Sequence, residues 1–113
     1  MDAEEQDVVS QDYKNHKLVQ FKNIKNLDLY TIRYLSDLFS EENKSGVLDW
    51  IIDLSNIEFI DSSGLGALAK QSTTLFKYSK RIKILNPKQT VLHTLKVSGF
   101  AKIFDFIHSL DEV

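Results

Sequence analysis

At 113 residues, with 42% hydrophobic and 27% charged side chains, the chain has the length and composition of one globular domain with its own core and little room for a second. It contains no cysteine, which excludes a disulfide framework and a thiolate metal site, and no apolar run approaches the ~20 residues that span a bilayer. The net charge of −2 is unevenly spread: Asp2, Glu4, Glu5, Asp7 and Asp12 precede the first lysine, whereas Ser62 to Phe104 holds eight basic residues and no acid.

Residues 1–7 are acidic and polar enough to be disordered, and they lack the basic start of a secretory signal, so a cytoplasmic protein with no membrane contact is expected. Val8 to Lys14 and Lys17 to Phe21 read as a β-hairpin turning at Tyr13 to Lys17, followed by a polar loop, Lys22 to Asn26. Asp28 is placed to cap a helix in which Leu29, Ile32, Leu35, Leu38 and Phe39 form an apolar stripe, ending in the charged exit Glu41 to Gly46. Val47 to Leu54 is a short β-branched and aromatic run that suits a strand buried on both faces, with Trp50 in the core.

A second apolar patch, Ile57 to Ile60, delivers the chain to Asp61-Ser62-Ser63-Gly64. Leu65, Leu68, Ala69, Ser72, Leu75 and Phe76 then recur at helical spacing, with Lys77, Lys80 and Arg81 near the helix C-terminus. Ile82 to Leu85 makes a further strand. Asn86-Pro87-Lys88-Gln89 reads as an N-cap, a proline at the first helical position and a capping-box glutamine, opening a helix that buries Val91, Leu92 and Leu95 and stops at Gly99. Ile103 to Phe106 fits either a last strand or the start of a terminal helix reaching Leu110. The order β-β-α-β-α-β-α-(β/α) implies an α/β domain over residues 8–113 with a mixed four- to five-stranded sheet and about four helices.

The chemistry concentrates where the buried strand hands over to the central helix. A helix start leaves N–H groups unpaired and carries the positive end of the dipole, so it holds anions well; we read the anion as a phosphate carried by Ser62. The plainer alternative is that Asp61 is only a cap, Ser62 and Ser63 only helix-start hydroxyls, and Gly64 and Gly66 only packing residues. His16, His93 and His108 are scattered without metal-ligand spacing, and no metal, cofactor or catalytic residue is assigned.

Phe59-Ile60-Asp61-Ser62-Ser63-Gly64-Leu65-Gly66, following Val47 to Ser55, resembles the signature of STAS domains, the anti-sigma factor antagonists of bacteria. Asn26-Leu27-Asp28 with Thr31 and Leu35 is similar to the Leu-Asp before that family's first helix, and Val97-Ser98-Gly99-Phe100 with Ile103 resembles its C-terminal segment. The family's Gly-x-Leu-Asp turn lacks its glycine here, because residues 1–45 contain none and Lys25 stands in its place. The resemblance implies an α/β STAS fold and a phosphorylation-switched binding protein rather than an enzyme. Unphosphorylated, it sequesters an anti-sigma factor with serine kinase activity; phosphorylated at Ser62, it releases that partner, and a serine phosphatase resets it. The partner-binding residues carried over are Asp28, Asp61, Ser62, Ser63, Gly64, Leu65 and Gly66, on a chain monomeric by itself and without direct DNA contact.

Rival readings fare worse. Gly64 to Ala69 fits the dinucleotide fingerprint G-x-G-x-x-A, but no Asp or Glu lies between Asp61 and Asp105 to hold a ribose. A serine hydrolase elbow needs glycine two residues before its serine, where Ile60 or Asp61 stands. A STAS module in a stressosome-like scaffold or a lipid-transport accessory subunit keeps the fold and changes only the partner.

Overall fold

The computed structural model describes Glu4 and residues 7–113; the rest of the acidic segment expected at residues 1–7 lies outside the described residues. In chain order the elements are β1 (Val8–Tyr13), β2 (His16–Phe21), β3 (Asn26–Leu27), α1 (Leu29–Asn43), β4 (Asp49–Asp53), β5 (Phe59–Ile60), α2 (Ser62–Phe76), β6 (Ile82–Leu85), α3 (Gln89–Val97) and β7 (Phe104–Ile107). Two 3-10 turns, Phe100–Ile103 and Leu110–Glu112, flank β7, so the described residues hold three α-helices rather than about four. The main sheet is mixed, in the order β1-β2-β4-β6-β7, with β1 antiparallel to β2 and the remaining neighbours parallel.

The hairpin closes on Lys14 and Asn15 alone, at φ 45° and 63°. Two positive φ values in succession match the twist of the flanking strands, which makes the turn tighter than the five residues expected from sequence. Trp50, Ile51 and Ile52 are fully buried because β4 sits mid-sheet with both faces covered. Trp50 and Ile52 meet the helices, and the Phe39 ring packs edge-on to Trp50 at 4.9 Å and 88°. On the other face Leu18, Ile51, Leu85 and Ile107 form a smaller cluster under Tyr13, Leu110 and Val113. The C-terminal turn is fastened there by a capping box in which Glu112 accepts the N–H groups of His108 and Ser109.

One open alternative is decided and three further expectations are corrected. Of the two readings of Ile103 to Phe106, the strand holds: Ile103 ends a 3-10 turn and β7 pairs along β6 from Phe104↔Ile82 to Ile107↔Leu85. The cap of α3 is Lys88, without a side-chain bond, and not Asn86 with a Gln89 capping box. Asn86 is still leaving the sheet, donating its N–H to the Ile107 carbonyl at 2.8 Å from a left-handed φ of 49°, so Pro87 precedes the helix instead of opening it. Leu29 and Phe76, assigned to apolar stripes, are 65% and 71% exposed; each is the terminal residue of its helix. The polar loop from Lys22 ends at Lys25, because Asn26 already belongs to β3.

Candidate functional site

Two-residue strands position the site. β3 runs parallel to β5 in its own sheet, Asn26 opposite Phe59 and Leu27 opposite Ile60, and the Asp61 N–H donates to the Leu27 carbonyl at 3.3 Å. The next residue on each strand is a helix cap, so the starts of α1 and α2 lie side by side. The missing glycine is immaterial to this loop: Lys25 is not in the left-handed region, Asn23 takes that conformation at φ 58°, and the Lys25 carbonyl accepts from Glu58 and Phe59 at 2.7 and 3.2 Å.

Both caps are acidic and both are engaged. Asp28 Oδ1 accepts the N–H groups of Tyr30 and Thr31 at 3.0 and 3.2 Å, while the Thr31 hydroxyl donates to the Asn26 carbonyl at 3.1 Å. Asp61 Oδ1 accepts from Gly64 at 3.0 Å, and the first intrahelical bond of α2 runs from the Leu65 N–H to the Asp61 carbonyl at 3.0 Å. The N–H groups of Ser62 and Ser63 lie ahead of that bond, at the positive end of the α2 dipole.

Side-chain placement divides the expected site residues. Ser62 and Gly66 are exposed; Asp28, Asp61, Ser63 and Leu65 are partly buried. Gly64 is buried: a β-carbon there would overlap the Leu27 carbonyl oxygen and come within 2.9 Å of Ile60 Cγ1. Its part is to let α2 seat against β3 and so hold the two caps together. A β-carbon at Gly66 would meet nothing within 4 Å.

Sequence reasoning missed the apolar rim. Leu29 and Tyr30, 65% and 73% exposed, open α1, and Phe59, 56% exposed, is in β5 three residues before Ser62. Scattered exposed hydrophobics are ordinary, but these lie within two residues of the caps Asp28 and Asp61, which the β3–β5 pairing sets side by side. The signal was available for Phe59: Ile57 and Ile60 are inward, and in an extended segment the intervening side chain is free to face out. Beside the β3–β5 pair lies an open hollow of about 840 Å³ lined by residues including Asn23, Lys25, Asn56, Glu58 and Lys88, with none of Asp28, Asp61 or Ser62 in its wall.

A short strand thus feeds a helix whose exposed first serine follows an acidic cap, and the model of the STAS domain family matches residues 9–113 of this chain. The chain belongs to the STAS family. Among curated relatives, this STAS domain is similar to the anti-sigma-B factor antagonist of Staphylococcus aureus, 26% identical over 73 residues, covering 65% of this chain and 68% of the relative. It is also 28% identical over 88 residues to sulfate transporter 2.1 of Arabidopsis thaliana, covering 74% of this chain and 13% of that one.

Solved structures give the same fold. An anti-sigma factor antagonist from Mycobacterium paratuberculosis superposes with a TM-score of 0.80 at 21% identity, covering 99% of this chain and 94% of that one. The Bacillus anti-sigma factor antagonist SpoIIAA, solved unphosphorylated and phosphorylated, gives TM-scores of 0.73 and 0.72 at 20% and 18% identity, covering 93% of this STAS domain and 91% and 95% of those chains. No helix among the described residues is long and apolar enough to cross a membrane.

Proposed function

We propose that this STAS domain is an anti-sigma factor antagonist whose docking face is the paired start of α1 and α2, and whose switch is phosphorylation of Ser62 by the anti-sigma factor it binds. The observation that carries the reading is the exposed Ser62 hydroxyl at the first position of α2, beside two engaged capping carboxylates and an apolar rim of Leu29, Tyr30 and Phe59. The curated likeness to an anti-sigma-B factor antagonist, and the shared fold with an antagonist known in a phosphorylated form, support it.

The physical basis is a difference between two states of one surface. Unmodified, the rim offers apolar side chains and a small hydroxyl to a partner. Phosphorylated, Ser62 adds about −1.5 to −2 charge units that must be stripped of water on docking. Like-charge contact and desolvation cost several kcal/mol at an interface, and each ~1.4 kcal/mol is a tenfold loss of affinity.

The test is a Ser62→Ala and Ser62→Asp pair carried through co-purification from the source cell, with captured proteins identified by mass spectrometry and affinity then measured by calorimetry. Ser62→Ala should hold the anti-sigma factor constitutively and resist phosphorylation; Ser62→Asp should bind at least ~10-fold more weakly. Equal binding by the two variants refutes the switch. A serine phosphatase acting on the modified protein completes the cycle. The transporter likeness favours a second reading, a module docking a different assembly through the same face, and the identity of the captured protein separates the two.

A further inference from the structure

The far end of α2 carries a second surface. Ser62 opens this helix and Phe76 closes it, and 15 residues place the two ends roughly 20 Å apart. Between the last turns of α2 and the chain entering β7 lies a groove of about 340 Å³. Its apolar walls are Phe76 and Ile103, and its floor is fixed by the Ser72 hydroxyl donating to the Ile103 carbonyl at 3.3 Å. Phe76 completes the helical apolar spacing yet is 71% exposed, and Tyr78, two residues on, is 60% exposed.

The ionisable side chains lining this groove are all basic, and of the acids beside it Asp49 accepts the Arg81 N–H at 2.7 Å. Lys80, Arg81 and Lys102 line it, within the stretch Ser62 to Phe104 that contains no Asp or Glu. The nearest carboxylate in sequence, Asp105, is committed to Arg81 through two bonds of 2.8 and 3.0 Å. Neither Lys80 nor Lys102 takes part in an ion pair among the described residues. Two lysines outside any ion pair among the described residues, Lys102 exposed and Lys80 partly buried, therefore border an apolar slot at the end of α2 away from Ser62.

We propose that this groove docks an acidic segment of a partner protein bearing one bulky apolar side chain. The apolar residue seats between Phe76 and Ile103, and carboxylates on either side of it meet Lys80 and Lys102. Charge complementarity selects the acidic occupant. The concave shape favours a peptide side chain over the flat surface of a bilayer. The groove's single arginine, Arg81, is already paired with Asp105, and no aromatic-interleaved arginine cluster lines it for stacking on nucleic acid. The inference is independent of the reading of Ser62.

The experiment is fluorescence anisotropy of the full chain with a labelled peptide of roughly ten Asp and Glu residues around one central Phe, long enough at ~3.3 Å per residue to cross the groove. Binding that weakens as salt rises is expected. Lys80→Glu with Lys102→Glu should weaken it at least ~10-fold, and Phe76→Ala at least ~5-fold, while Ser62→Asp leaves it unchanged. Circular dichroism melting of each variant verifies that the fold is kept, and since Phe76 is exposed its alanine variant provides a second route should the double charge reversal fail to fold. The inference is overturned by any of four results: no binding to the unaltered chain, equal binding of a peptide with Ser replacing the Phe, or equal binding by the folded variants; or preference for an oligonucleotide, phosphatidylserine vesicles or a second copy of this chain, seen as self-association lost in the double variant.

Discussion

Replacing Gly64 with alanine tests the packing that brings the two helix caps together. The added methyl overlaps the Leu27 carbonyl oxygen and lies 2.9 Å from Ile60 Cγ1 and 3.1 Å from Leu27 Cγ. The first obstacle is backbone, pinned by the β3–β5 pairing, so the helix start has to move. Overpacking of this kind costs ~1–3 kcal/mol. Alanine's helix preference over glycine returns at most ~1 kcal/mol, and less in a first turn where few intrahelical bonds depend on it. The net loss is about 1–2 kcal/mol, which for a domain near this size lowers the melting midpoint by ~5–10 °C. Gly66→Ala is the internal control: with nothing within 4 Å of its β-carbon, it should gain ~0.5–1 kcal/mol and melt a few degrees higher. Chemical denaturation with parallel thermal melts reads both, and hydrogen exchange at Ser62 and Ser63 reports whether the helix start loosens in the first variant. A Gly64→Ala protein as stable as the parent, or a Gly66→Ala protein equally destabilised, would refute the claim that seating against Leu27 is what Gly64 provides.

Two further outcomes are expected. Phe59→Ser and Tyr30→Ser remove side chains that are 56% and 73% exposed, so each should leave the melting midpoint within a few degrees while weakening capture of the anti-sigma factor ~10-fold or more by calorimetry; unchanged affinity would remove the rim from the docking face. Glu112 accepts backbone N–H groups of His108 and, next in effect, Ser109, which holds its carboxyl below the ordinary glutamate range. Because the folded value is the depressed one, the C-terminal turn is supported above the unfolded glutamate pKa and loses that support as pH falls through the folded value. Amide shifts of His108 and Ser109 should titrate with a midpoint under that of a free glutamate, and Glu112→Gln should abolish the titration.

How much of this was legible in the sequence follows from what each segment had to encode. Trp50-Ile51-Ile52 announced a central strand because burial on both faces leaves no polar position in the run. Asp28 and Asp61 announced helix starts because a cap is a local event, completed within three residues. The β3–β5 pair was illegible for the opposite reason: two residues, Asn26-Leu27 or Phe59-Ile60, carry no period, and their pairing is decided by where the larger sheet and helices leave them. The juxtaposition of Asp28 with Asp61 was reached through family resemblance, and the register supplies its physical cause. Leu29 and Phe76 misled because spacing describes an infinite helix, whereas these residues terminate real ones. Asn86-Pro87 misled because the tertiary bond to the Ile107 carbonyl outweighed a locally plausible cap.

The same geometry explains why a charge at Ser62 would change docking more than folding. Ser62 is the first residue of α2 and is exposed, so a phosphate there keeps its hydration and gains the unpaired N–H groups and dipole of the helix start. The fold has little to lose, since Asp61 already serves as the cap and the buried contacts of the turn run through Gly64 on the far side. A docked partner has no such compensation. It would have to cover a dianion placed next to Asp61 and alongside Asp28, two carboxylates whose acceptor capacity is partly spent on backbone, within a rim otherwise apolar. The energetic burden of modification therefore falls on the complex, and a surface that folds identically in both states can still be open to a partner in one and closed in the other.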